Sequence, residues 1–187
     1  FNGEIYNYKE LKNKFSESIN LITQSDTEII YELYKLKGED FINHLKGKCI
    51  NFHNSALPKN KGWAPILWTA YNNDLFASTI HKISAGLDTG DICGQKIIKK
   101  NLENFTLESV YNLLELEGIK LFRKIFPKIK KEIITRKKII KYIKQIPKSG
   151  SYQNESQSKI LMKKLSKGYK TKISEIILLG LNEKIIK

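Results

Sequence analysis

The chain has 187 residues, enough for one ordinary domain or a small domain beside a fragment, and a formal charge of +14 from 33 Lys and Arg against 19 Asp and Glu. Only Arg123 and Arg136 are arginines. Planar bidentate recognition of phosphate and guanine favours arginine, so this charge speaks for a solvated lysine surface with some pull on anionic ligands and against a nucleic-acid partner.

The chain begins at Phe1 rather than Met, which points to a piece, a processed product or a partial reading frame. No charged leader with an apolar core is evident and no apolar run approaches a bilayer span, so a soluble cytoplasmic protein without a membrane partner is expected. Two cysteines, Cys49 and Cys93, sit far apart in apolar surroundings without a CxxC pattern. Buried structural thiols are expected there, and neither a metal site nor a disulfide framework.

Along the first 47 residues the pattern reads strand, helix, strand, helix. Tyr8 to Phe15 is helical and Asn20 to Thr23 is a brief strand. Ser25 and Glu28 stand at capping-box spacing before Ile29, Ile30, Leu33 and Leu36, and Gly38 is a stop. A further short helix is expected from Glu39 to Leu45, ending at Gly47.

The register then changes. Cys49 to Phe52 reads as a strand, His53 to Gly62 as a loop, and Trp63 to Tyr71 as a helix, since Pro65 is tolerated in a first turn. Ala77 to Ile83 alternates like a strand, Gly86 to Gly90 is a tight turn, and Ile92 to Ile98 is another strand. Leu107, Val110, Leu114, Leu121 and Ile125 keep one face of a long helix capped by Thr106, which is expected to kink or stop before Pro127. Residues 128–146 give no firm pattern. Lys148 to Ser158 reads as a polar link, and Ile160 to Leu181 as a short helix followed by an apolar segment. Strands alternating with helices indicate an α/β class, with few strands for a full doubly wound sheet.

The chemistry is concentrated in two turn-rich stretches. One is Asn51-Phe52-His53-Asn54-Ser55-Ala56-Leu57-Pro58 and the other Gly86-Leu87-Asp88-Thr89-Gly90-Asp91-Ile92. Together they offer an amide to hold a carbonyl oxygen, an imidazole to manage a proton and a carboxylate to orient and charge that imidazole. That is the set needed to move an acyl group onto an amine. His81 and His44 read as structural, and Trp63 and Trp68 as core.

Those two stretches, with Gly62-Trp63-Ala64-Pro65-Ile66, Thr79-Ile80-His81 and Gln95, resemble the signatures of the formyltransferase family that uses 10-formyltetrahydrofolate. Gly150-Ser151-Tyr152 and Lys167-Gly168-Tyr169 resemble the tail of members that formylate nucleotide-linked amino sugars. The resemblance covers residues 48 to about 180 and departs at Asn54, where the family usually has proline. It implies an α/β fold, a partial Rossmann-like sheet with flanking helices, and formyl transfer to an amine. Asn51, His53 and Asp88 would be catalytic, Gly86, Leu87 and Asp88 would meet the cofactor, and no metal would take part. The implied formyl donor is 10-formyltetrahydrofolate, and the implied partner is a small-molecule amine, most simply a 4-amino-sugar nucleotide. A homodimer is compatible with this reading.

Residues 1–47 resemble something else. Phe1-Asn2-Gly3-Glu4-Ile5-Tyr6-Asn7-Tyr8 and Ser25-Asp26-Thr27-Glu28 are similar to the class II glutamine amidotransferase domain of asparagine synthetases, a short α+β fragment. There Asn2 and Gly3 would form an oxyanion hole, and Glu4 and Asp26 would hold the glutamine amino group. That family's nucleophile is an N-terminal cysteine, which this segment lacks, so glutamine hydrolysis is not expected of it. The expected organisation is thus 1–47, a formyltransferase core half over 48–140, and a tail over 141–187. The alternatives are an inactive fused remnant, a piece of an asparagine-synthetase-like protein, and a methionyl-tRNA formyltransferase-like enzyme.

Overall fold

A computed structural model describes residues 8–23, 26–38, 40, 49–84, 86–135, 137–145 and 150–185. The chain divides into two compact units, Phe1–Cys49 and Ile50–Lys187.

In the first unit α1 (Tyr8–Phe15) and α2 (Asp26–Lys37) enclose a small core of Ile19, Ile29 and Leu33, with Phe15 and Leu21 against it. Gly38 ends α2 at φ 55°, with its N–H donating to Tyr34 O at 2.7 Å. The left-handed backbone there explains the glycine stop. The strand expected over Asn20–Thr23 is not formed. The amides of Ile22 and Thr23 instead donate to the Glu28 carboxylate at 2.7 Å each, so Glu28 folds the chain back onto the start of its own helix. Ser25, the short helix expected after Gly38 (apart from Asp40), His44, and Asn2, Gly3 and Glu4 lie outside the described residues. Asp26 opens α2.

The second unit is a mixed α/β arrangement of two small sheets with flanking helices. Its elements are β1 (Ile50–His53), β2 (Lys61–Gly62), α3 (Pro65–Tyr71), β3 (Ala77–Lys82), β4 (Ile92–Ile97), α4 (Leu107–Thr135), β5 (Tyr152–Gln153), α5 (Glu155–Lys163), a 3₁₀ turn (Gly168–Lys170) and α6 (Ile173–Ile185). One sheet is antiparallel in the order β1-β3-β4, and the other pairs β2 with β5 in parallel.

Register decides what each face carries. Asn51 stands opposite His81 and His53 opposite Thr79, while Thr79 faces Gln95 and His81 faces Ile92 across a bulge. Side chains alternate along a strand, so Asn51, His53, Thr79 and His81 share one face, and Phe52, Ser78 and Ile80 the other. Helix α4 covers the second face closely. A Cβ on Gly94 would lie 2.1 Å from Ile125 Cδ1, and one on Gly118 2.7 Å from Ser78 Oγ.

The larger core lies where α3, α4, α5 and α6 meet, around Leu67, Ala70, Leu107, Val110, Leu114, Leu161 and Ile176. Pro65 occupies the first turn of α3 as expected, where its missing N–H is no loss. Thr106 Oγ1 accepts from Ser109 N–H at 3.2 Å and caps α4. That helix does not stop at Pro127 but continues to Thr135. Proline in a helix interior costs about 3 kcal/mol, whereas burying Ile125 and Ile129 on either side contributes roughly 1.5–3 kcal/mol each, so continuation wins. The stretch read as a polar link holds β5, a buried Gln153, and the Asn154 side chain that accepts from Gln157 N–H at 2.8 Å to start α5. Long-range pairing with β2 overrides its loop-like composition. Trp63, expected in the core, is 52% exposed; Trp68 is half-buried and donates through Nε1 to Ser158 Oγ at 2.8 Å. Cys93 is buried, and burial pushes its thiol up to about 11; Cys49 is half-buried. Among the described residues no helix is long and apolar enough to cross a membrane.

Candidate active site

Strand β1 delivers Asn51 and His53 to one sheet face, and the turn after β3 delivers Asp88 to the same place. The turn is held tightly. A Cβ on Gly90 would lie 1.7 Å from Lys82 O, and Gln145 Nε2 donates to the Asp88 and Gly90 carbonyls at 3.1 and 2.7 Å. Asp88 takes φ 52°, left-handed, which short polar residues tolerate better than bulky ones. Its side chain is thereby turned inward, with the residue 8% exposed, while Leu87 beside it is 51% exposed.

The Asp88 carboxylate is the hub of the site. Its Oδ2 lies 3.4 Å from His53 Nδ1 and accepts from Gly62 N–H at 2.8 Å; its Oδ1 lies 3.4 Å from both His81 Nε2 and Asn51 Nδ2. Asn51 Nδ2 also lies 3.4 Å from His81 Nε2. On the far side of the His53 ring, Nε2 meets Asn60 O at 2.8 Å. Thus Asn51, His53 and Asp88, far apart in sequence, meet within one cluster. Gly86 and Leu87 sit exposed at its rim.

His81 is the residue that reading the sequence as a string misses. It is 2% exposed, with its Nε2 3.4 Å from Asp88 Oδ1 and its Nδ1 2.9 Å from Lys82 O. By sequence alone it is a structural strand histidine; the antiparallel register opposite Asn51 is what moves it beside Asp88. The available signal was the alternation of Thr79 and His81.

Burial pushes the His53 imidazole below the ordinary histidine range, with His81 adding to this, against the Asp88 charge and the Asn60 carbonyl, which work upward. Burial also pushes the Asp88 carboxyl up, but the His81 hydrogen bond, the His53 ring and the Gly62 N–H outweigh it and hold the group below its usual value. The site therefore rests as a neutral imidazole beside a carboxylate. The 3.4 Å gap fits two facing acceptors better than a charge-assisted bond of about 2.7–2.9 Å.

The Asn51 contacts are long for hydrogen bonds, so its amide N–H groups can be surrendered to a stronger acceptor. Gln145 Oε1 is buried with no hydrogen-bond partner among the described residues, a spare acceptor at the same turn. With the exposed Leu87, these features suit a flat polar ring laid against the turn. A depression of about 330 Å³ lined by Lys96, Ile98, Lys100, Leu113 and Glu117 shares no residue with this cluster.

The model of the glutamine amidotransferase domain family matches residues 1–124, two thirds of the chain. The chain belongs to that family. The match runs past Cys49 into the sheet and helix that carry the His53–Asp88 cluster, and solved structures of similar arrangement include formyltransferases. The formyltransferase PseJ from Anoxybacillus kamchatkensis, solved with UDP-4,6-dideoxy-4-formamido-L-AltNAc and tetrahydrofolate, is 27% identical with a TM-score of 0.66 and 94% of each chain covered. An N-formyltransferase from Helicobacter canadensis, solved with folinic acid and dTDP-3-aminofucose, is 32% identical with a TM-score of 0.51, covering 59% of this chain and 39% of that one. These neighbours support the formyltransferase family, and the fold is formyltransferase-like. Among curated proteins, a methionyl-tRNA formyltransferase of Thermodesulfovibrio yellowstonii is 36% identical over 110 residues, 58% of this chain and 35% of that protein. The chain spans about a third of the length of the curated relatives it matches.

Proposed function

We propose that this amidotransferase-family chain transfers a formyl group from 10-formyltetrahydrofolate to an amine, and that the amine belongs to a nucleotide-linked amino sugar. The observation that carries the reading is the convergence of Asn51, His53 and Asp88 within 3.4 Å contacts on one sheet face. The neighbours' bound folates and nucleotide sugars support the donor and acceptor classes.

Bound at the rim formed by Gly86, Leu87 and Asp88, the folate would supply the formyl group. Asn51 Nδ2 gives up its long contacts and donates to the formyl oxygen as negative charge develops there; one such donor is worth about 3 kcal/mol. The proton shed by the attacking amine passes to the Asp88–His53 pair. Settling between Oδ2 and Nδ1, it turns two facing acceptors into an ion pair, and His53 then releases it to the departing nitrogen. Acid–base groups placed this way contribute roughly 10²- to 10⁴-fold. Gly62 N–H keeps Asp88 ionised while it waits. No step calls for a metal.

Methionyl-tRNA is the second reading, favoured by the curated relatives. An assay with 10-formyltetrahydrofolate and a panel of 3- and 4-amino-sugar nucleotides beside methionyl-tRNA decides between them. Formylation of a nucleotide sugar is the expected result, and formylation of the tRNA alone would transfer the proposal to the second reading. For residues 1–47 we infer an asparagine-synthetase-like origin, with Asn2, Gly3, Glu4 and Asp26 as the former glutamine set. Sequencing the DNA upstream for an N-terminal cysteine and across codons 47–48 for a frameshift tests it; an uninterrupted formyltransferase reading frame upstream of codon 48 would refute it.

A further inference from the structure

We propose that Asn60 is the positioning residue of this site: its backbone carbonyl, clamped by a buried amide network anchored on β5, holds His53 in the Nε2–H tautomer, so that Nδ1 alone exchanges protons. This deepens the formyl-transfer reading and rests on it for its catalytic consequence, though not for the tautomer itself.

Asn60 is fully buried and left-handed at φ 53°. Its N–H donates to Ser151 Oγ at 2.8 Å. Its Nδ2 donates to Thr69 Oγ1 at 3.2 Å and to Asp74 Oδ2 at 3.1 Å. Its Oδ1 accepts from Asn72 Nδ2 at 3.0 Å, Ser151 Oγ at 3.3 Å and Gln153 Nε2 at 3.5 Å. Its carbonyl is left for His53 Nε2 at 2.8 Å. Every polar atom of the residue is engaged, so turning the carbonyl away would strand several buried groups, each costing about 1–3 kcal/mol.

A carbonyl accepts and never donates, so Nε2 must carry the proton for that contact to be a hydrogen bond. The remaining ring nitrogen, Nδ1, then faces Asp88 Oδ2 with its lone pair. Two residues further on, the same short segment supplies Gly62 N–H to Asp88, and β2 is itself held by Lys61 N–H to Ser151 O at 2.9 Å and Trp63 N–H to Gln153 O at 3.0 Å. Both members of the pair are thus referenced to one strand, and that strand to β5, about ninety residues away in sequence.

The test is a long-range ¹⁵N–¹H correlation spectrum of the histidine rings in the full chain, read beside steady-state kinetics. Wild type is expected to show His53 as the Nε2–H tautomer. Asn60→Gly keeps the left-handed backbone accessible and removes the amide; it is expected to give mixed tautomers and a kcat lower by about 10²-fold, the cost of a misplaced group, with KM for the amine unchanged. An Nδ1–H wild type would overturn the proposal, as would an Asn60→Gly protein that keeps a single Nε2–H tautomer and wild-type kcat. If Asn60→Gly does not fold, Ser151→Ala removes one anchor and is read for the same mixing. A chain with the Nε2–H tautomer but no formyl transfer supports the lock and overturns only the functional reading.

Discussion

Asp88 owes its position to four partners from three places in the chain: Asn51 and His53 on β1, Gly62 on β2 and His81 on β3. Gly62 N–H donates to the carboxylate at 2.8 Å, and His81 Nε2, His53 Nδ1 and Asn51 Nδ2 each stand 3.4 Å from it. Asp88→Asn is the cleanest single change, because asparagine tolerates the left-handed backbone and the fold should survive. We expect formyl transfer to fall by about 10²-fold or more, measured as kcat at saturating folate. Near-wild-type kcat in that variant would remove Asp88 from the proton path. His81 merits a parallel measurement: His81→Gln keeps a side-chain amide within reach of Asp88 and should cost less than Asp88→Asn in the same assay.

At the level of elements, the turn between β3 and β4 is the most exacting piece. Gly90→Ala places a methyl within 1.7 Å of Lys82 O, so the turn must shift. A loss of about 1–3 kcal/mol in urea unfolding is expected, together with lost activity, since Asp88 moves with the turn. Unchanged stability would mean the turn yields freely. Much of this was legible from residue patterns. Pro65 at a helix start, Thr106 as a cap and Gly38 as a stop are local devices, and the structure repeats them. What was not legible depends on distant partners. Nothing in Tyr152-Gln153 reports that it pairs with Lys61 and Gly62, so the stretch reads as a link. Pro127 breaks a helix by local rules, yet Ile125 and Ile129 are buried around it. His81 looks structural until pairing sets it opposite Asn51, because alternation reveals a face and not a partner. Trp63 looks like core for the same reason, since apolar character alone does not say whether a residue is covered by distant chain.

Across the whole molecule, the same titrations should appear in stability. His53 has its folded value lowered, so its contribution is complete above its ordinary value of 6.5 and is lost as pH falls below that. Asp88 is lowered as well, so its contribution is complete above its ordinary value of 3.8 and is lost as pH falls through its folded value. Both act in the same direction. The urea midpoint should decline steadily as pH falls from 7 towards 4, first through His53, and His53→Gln should flatten the upper part of that decline. A midpoint that is level or rises towards acid would show that these groups are not buried as described. The amidotransferase family match runs across the strands and helix that carry the Asn51–His53–Asp88 cluster, which has no cysteine among its members. The decisive measurement is therefore the rate of formyl transfer from 10-formyltetrahydrofolate to an amino-sugar nucleotide by wild type and by His53→Ala, with folate binding measured in both. The account predicts transfer by wild type, a drop of roughly 10²- to 10⁴-fold in the variant and similar folate affinity; equal rates in the two proteins would contradict it.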